Sequence, residues 1–172
     1  MAARNRRRLW LIAAVVLVPL LLAATAVEIP MPELKAGERV IARSKIEPPK
    51  FSREQKASVF VKLQIAPGHH IYSLKKSLSS SVPTTVEIKL PDGVKLDAEW
   101  EAPKPEKVGE ALVYRKQVVL RNRLALSEKI PPGKHKAEIR IRFQVCNEAV
   151  CWPPESLVTE VEFEVLNSVV EK

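Results

Sequence analysis

The chain has two cysteines, Cys146 and Cys151, five positions apart in the stretch "FQVCNEAVCWPPES" and followed at once by Trp152, Pro153 and Pro154. A pair so spaced can be a structural staple, a metal clip or a working redox couple. In an exported protein two cysteines most often form one stabilising disulfide. Loop length weakens that reading here, because a bridge closing so few residues restricts the unfolded chain by only about 2 kcal/mol, against about 5 for a loop of a hundred. A metal clip needs three or four ligands. The nearest candidates, His69 and His70, are adjacent, so on a strand they point to opposite faces and only one can join the thiols; no metal site is expected. A redox couple needs an accessible sulfur and a resolving sulfur beside it. Two prolines after Trp152 offer a rigid rim with no N–H to pair and little freedom to lose on docking.

The elements that hold these residues are read from periodicity. Apolar side chains alternate in "ASVFVKLQI" (Val59, Val61, Leu63, Ile65), in "TTVEIKL" (Val86, Ile88, Leu90), in "KAEIRIRFQV" (Ala137, Ile139, Ile141, Phe143, Val145) and in "VTEVEFEV" (Val161, Phe163, Val165). Further strands are expected at 94–100 and 112–120. Pro67-Gly68, Pro91-Asp92-Gly93 and Pro131-Pro132-Gly133 mark turns between them. Many short strands, each with one apolar face, predict an all-β immunoglobulin-like sandwich. Alternation also turns Cys146 away from the core, with Arg142 on the same face. A hairpin joining the last two strands would set Arg142 against Glu162 and Arg140 against Glu164, leaving both sulfurs at an exposed tip.

The chain opens with four arginines and then nineteen uncharged residues, Leu9 to Val27, with small residues at Ala24-Thr25-Ala26. This reads as a hydrophobic helix serving as signal peptide or membrane anchor over residues 1–26, which directs the rest to the periplasm or cell envelope. Residues 27–50 carry four prolines and little periodicity and read as an extended linker; the sandwich domain is expected over 51–168. Without the leader, 24 basic residues face 20 acidic ones, a balance of +4. Lys and Glu alternate along the chain and no aromatic-interleaved basic patch appears, so no nucleic-acid partner is expected.

With those residues in view, "VCNEAVCWPPES" resembles the active-site loop of the N-terminal periplasmic domains of the thiol:disulfide interchange protein DsbD. Cys146, Cys151, Trp152, Pro153, Pro154 and Glu155 match the family's loop in order. "PGHHIYS" resembles the family's segment beside the cysteines, where His70 and Tyr72 fall on its aromatic positions. "GEALVYRKQVVL", with Gly109 and Tyr114, resembles the strand after its cap loop. The resemblance covers roughly residues 51–166. It implies an immunoglobulin-like fold and dithiol–disulfide exchange without a cofactor, with Cys146 and Cys151 as the couple and Trp152, Pro153, Pro154, His70 and Tyr72 facing partners. It makes Cys151 the attacking thiol, although the alternation argument leaves the choice between the two open. It also implies a thioredoxin-like donor domain and a membrane electron-transfer protein, expected on a separate chain, and oxidised periplasmic proteins as recipients. The matching cap region, "PEKVGEA", offers Lys107 and Val108 where the family has an aromatic. Two other readings stand beside exchange: a non-enzymatic envelope binding module with a structural disulfide, and a copper-handling accessory in which the thiols and His70 hold a soft ion.

Overall fold

The computed structural model describes residues 27–75 and 81–167. The expected leader, residues 1–26, lies outside them. Twelve strands and no helix occur among the described residues: β1 (Val40–Glu47), β2 (Lys50–Phe51), β3 (Ala57–Ile65), β4 (His70–Tyr72), β5 (Thr85–Lys89), β6 (Val94–Leu96), β7 (Glu106–Val108), β8 (Ala111–Tyr114), β9 (Gln117–Leu126), β10 (Gly133–Phe143), β11 (Val145–Cys146) and β12 (Glu155–Val165). The order β1-β3-β9-β6 makes one sheet and β2-β12-β10-β5 a second. Their inner faces form the core of the immunoglobulin-like sandwich. The alternating apolar residues read from the sequence supply it: Val59, Val61 and Leu63 from β3 and Ile139, Ile141 and Phe143 from β10 are fully buried, and Leu120 of β9 joins them. Each such side chain contributes about 1.5–3 kcal/mol by leaving water.

A third sheet, ordered β11-β4-β8-β7, gathers the continuations of strands from both layers. β4 follows β3 after the Pro67-Gly68 turn, β8 runs into β9 at Lys116, whose φ is 60°, and β11 follows β10 after a break at Gln144. One end of the sandwich is therefore closed by a small sheet that ties its two layers together. Ile71, Tyr114 and Val145 reach from this sheet into the main core.

Four expectations need correction. Residues 27–50 are not only a linker. β1 pairs along its whole length with β3, from Val40↔Ile65 to Glu47↔Ser58, and β2 pairs with the end of β12. Only Val40 and Ile46 of β1 are buried, which leaves the edge strand too mixed in pattern to show a clean alternation. The hairpin register also differs: Arg142 faces Ser156 and Arg140 faces Val158, while Glu162 meets Lys136 and Glu164 meets Lys134. The displacement is six residues, an even number, so every side chain keeps its predicted face and only the charge partners change. Lys136 reaches Glu162 at 3.1 Å, and Lys50 reaches Glu164 at 2.8 Å. Finally, the segment expected as one strand over 112–120 is divided by the turn at Lys116, and that expected over 94–100 ends at Leu96.

Candidate functional site

Phe143 ends β10, and Gln144 carries the chain from the second sheet into the small one. There Val145 opposes Ile71 and Cys146 opposes His70. Cys146 and Cys151 are themselves a directly opposed antiparallel pair, with Cα atoms 4.0 Å apart and a disulfide between them. The flanking bonds run from the Asn147 N–H to the Val150 carbonyl (2.9 Å) and from the Trp152 N–H to the Val145 carbonyl (3.0 Å). The cysteines thus occupy a non-hydrogen-bonded pair, the position where antiparallel Cα atoms come closest. Backbone pairing by itself brings the sulfurs within reach.

The tip is closed by Asn147. Its side-chain oxygen accepts the N–H groups of Ala149 (2.9 Å) and Val150 (2.8 Å), a local turn of the kind asparagine favours. Gln144 Nε2 donates to the Trp152 carbonyl at 3.1 Å and holds the outgoing arm. Neither residue is among the candidates read from the sequence. An asparagine directly after the first cysteine is a turn signal that could have found the first.

Cys146 turns away from the main core, as alternation requires, but it does not meet solvent. It is 1% exposed, whereas Cys151 is exposed. The expectation of two sulfurs at an open tip holds for Cys151 alone. The reason is the sheet switch: the face opposite the core now belongs to the small sheet, where Cys146 is paired with His70 and Tyr72 lies next along β4. The Tyr72 hydroxyl stands 3.8 Å from both sulfurs. Bonded as a disulfide, neither sulfur carries a proton, so the hydroxyl is the donor. On Tyr72's other side Val113 of β8 is directly opposed and fully buried.

The structure brings the remaining candidates to the same end. His70 packs edge-on to Tyr72 at 5.9 Å. Burial, then the charge of Arg115 and then His69, hold His70 below its ordinary pKa, so it favours the neutral imidazole. Trp152 is half-buried against the edge of the core, with His69 5.4 Å from it, ring to ring. Pro153 and Pro154 are exposed and continue the surface from Cys151 into β12. Val150, 51% exposed, places an apolar side chain at the surface directly before Cys151. The cap region forms the β7–β8 hairpin, and every residue of β7 is exposed. It lies at the far edge of the small sheet from β11; among the described residues the aromatic over the sulfurs is Tyr72, from β4. No group of three or more His, Cys, Asp or Glu able to hold a metal ion occurs among the described residues.

The chain is 28% identical to the thiol:disulfide interchange protein DsbD of Haemophilus ducreyi over 107 residues, which are 62% of this chain and 16% of that protein. It therefore spans about a sixth of the curated relative that it matches. Among solved structures it is similar to the reduced N-terminal domain of Neisseria meningitidis DsbD, at 18% identity and a TM-score of 0.37, covering 62% of this chain and 81% of that one. It is also similar to the N-terminal periplasmic domain of ScsB from Proteus mirabilis, at 18% identity and a TM-score of 0.49, covering 74% of this chain and 48% of that one. Residues 37–162 match the family described as "Thiol:disulfide interchange protein DsbD, N-terminal", and a match over most of its length makes this chain a member of that family.

Proposed function

We propose that the chain is an envelope thiol–disulfide exchange module that passes reducing equivalents through Cys146 and Cys151. In the loading step a donor thiolate attacks the Cys151 sulfur, the S–S bond breaks, and Cys146 leaves as a thiolate. The donor's second thiolate then attacks its own sulfur in the mixed disulfide and releases Cys151. Two electrons enter the module, protons from solvent balance the two thiols, and the donor leaves as a disulfide. Delivery runs the same sequence outward: Cys151 attacks the oxidised client, and Cys146 resolves the mixed disulfide.

The observation that carries this reading is the asymmetry of the pair. Cys151 is open to a partner, and Cys146, 1% exposed, is within bonding distance only of Cys151, which suits a resolving sulfur. Tyr72, with its hydroxyl 3.8 Å from each sulfur, is suited to donate to whichever thiolate is released. Trp152, Pro153, Pro154 and His70 form the partner-facing rim. The donor is a thioredoxin-like domain fed by a membrane electron-transfer protein, the recipients are oxidised periplasmic proteins, and residues 1–26 export or anchor the chain.

Trapping tests this directly. Cys146→Ser should accumulate mixed disulfides through Cys151 with thioredoxin-like and client proteins of the envelope, resolved by non-reducing electrophoresis, while Cys151→Ser should capture far less. If neither variant captures anything, the module carries no electrons. A couple with a potential below about −300 mV would mark the bridge as structural.

A further inference from the structure

Arg39 lies outside every motif that the redox reading uses, one residue ahead of β1. Its guanidinium carbon stands 4.5 Å from the centre of the Trp152 ring, and His69 approaches the same indole. Three segments distant in sequence thus converge on the side chain that directly follows Cys151. Both partners are anchored at the backbone. The Arg39 carbonyl accepts the Ala66 N–H at 2.8 Å, just ahead of the turn that leads to His69. Trp152 is fixed at its N–H by Val145 and at its carbonyl by Gln144. Arg39 Nε is buried without a hydrogen-bond acceptor among the described residues. A guanidinium desolvated along one edge is held more strongly by an aromatic face than one in open water, and its planar shape suits stacking where an ammonium would not.

We propose that Arg39 is a positioning residue of the redox site, holding the Trp152 indole as a fixed wall beside Cys151 against which a protein partner docks. The proposal rests on the exchange function above. A small disulfide can reach the exposed Cys151 sulfur without that wall. A protein disulfide must lay its chain along Trp152, Pro153 and Pro154, and without Arg39 the indole has to be ordered during docking. Loss of Arg39 therefore raises KM for protein disulfides and leaves the limiting rate and small-disulfide exchange alone.

The test uses the full-length chain, reduced, with oxidised thioredoxin as the protein disulfide and oxidised glutathione as the small one. Arg39→Met keeps the aliphatic stem and removes the cation. It should raise KM for thioredoxin about tenfold, the worth of one partly desolvated cation–π contact. Its kcat, and its rate with glutathione disulfide, should stay within about twofold of wild type. Arg39→Lys, which restores a cation, should recover part of the loss. The emission of Trp152, obtained by difference from a Trp152→Phe variant, should become more accessible to acrylamide in Arg39→Met, a change that can be read even if the variant is less stable. Wild-type protein that reacts with neither disulfide sinks the exchange function itself. Wild-type protein that reacts, with Arg39→Met matching it on thioredoxin or in quenching, overturns the role of Arg39 alone.

Discussion

Replacing Asn147 by alanine removes the side-chain oxygen that accepts both the Ala149 and the Val150 N–H groups and leaves the rest of the hairpin unchanged. Each such bond is worth about 1 kcal/mol net, so the oxidised loop, which the disulfide keeps in the same shape, loses about 2 kcal/mol. The reduced loop loses the same bonds but is free to relax and let water take the two N–H groups, which recovers part of the cost. The oxidised state is therefore penalised more than the reduced one, and the disulfide becomes easier to reduce. Since about 1.4 kcal/mol corresponds to 30 mV for this two-electron couple, the full loss would raise the potential by about 40 mV, and recovery of half by the reduced loop leaves about 20 mV. Equilibration of wild type and Asn147→Ala in graded glutathione buffers, with free thiols counted by alkylation and mass, measures the shift. An unchanged potential, or one shifted to more negative values, would refute the reasoning that the turn preorganises the sulfurs.

Tyr72→Phe removes the hydroxyl from both sulfurs and should slow attack by the reduced protein on glutathione disulfide at neutral pH about three- to tenfold, the worth of a weak charge-assisted hydrogen bond to sulfur; a stopped-flow rate equal to wild type would dismiss that donor role. His70 is held below its ordinary value of 6.5, so as pH falls through that value the unfolded chain takes up a proton that the folded chain resists, and stability declines. Urea unfolding between pH 7.5 and 5 should show this slope in wild type and a shallower one in His70→Gln; equal slopes would exclude His70 as the source. Gly93 has a φ of 89°, and an added Cβ would meet the Ile130 backbone nitrogen at 2.6 Å, so Gly93→Ala should cost about 2–4 kcal/mol in the same assay, and a cost under 1 would be inconsistent with so close an approach.

The sandwich was legible because alternation in β3, β10 and β12 survives without knowledge of any partner: Ile139, Ile141 and Phe143 are buried wherever the strand sits, provided one face is covered. Register was not legible for the same reason. Any even displacement satisfies a period of two, so nothing in the pattern separates Arg142 opposite Glu162 from the observed Arg142 opposite Ser156. β1 was hidden because it is an edge strand with two buried residues, and its identity depends on β3 lying beside it. Arg39 carried no signal at all, since its partner Trp152 is far away along the chain and near only in the fold.

For the site, local sequence was sufficient to name Cys146 and Cys151 as a pair and to set Trp152, Pro153 and Pro154 beside them, because the loop is short and its residues are neighbours by covalent connection. It also turned Cys146 away from the main core, since alternation is a property of the strand itself. Whether that side was open or covered belonged to the tertiary structure. The switch of the chain from β10 into β11 laid β4 alongside, so that Cys146 was buried opposite His70, with the Tyr72 hydroxyl equally near both sulfurs, and Cys151 was left as the exposed end of the bridge. Burial is a relation between segments that meet only in the folded chain, and no single segment contains it.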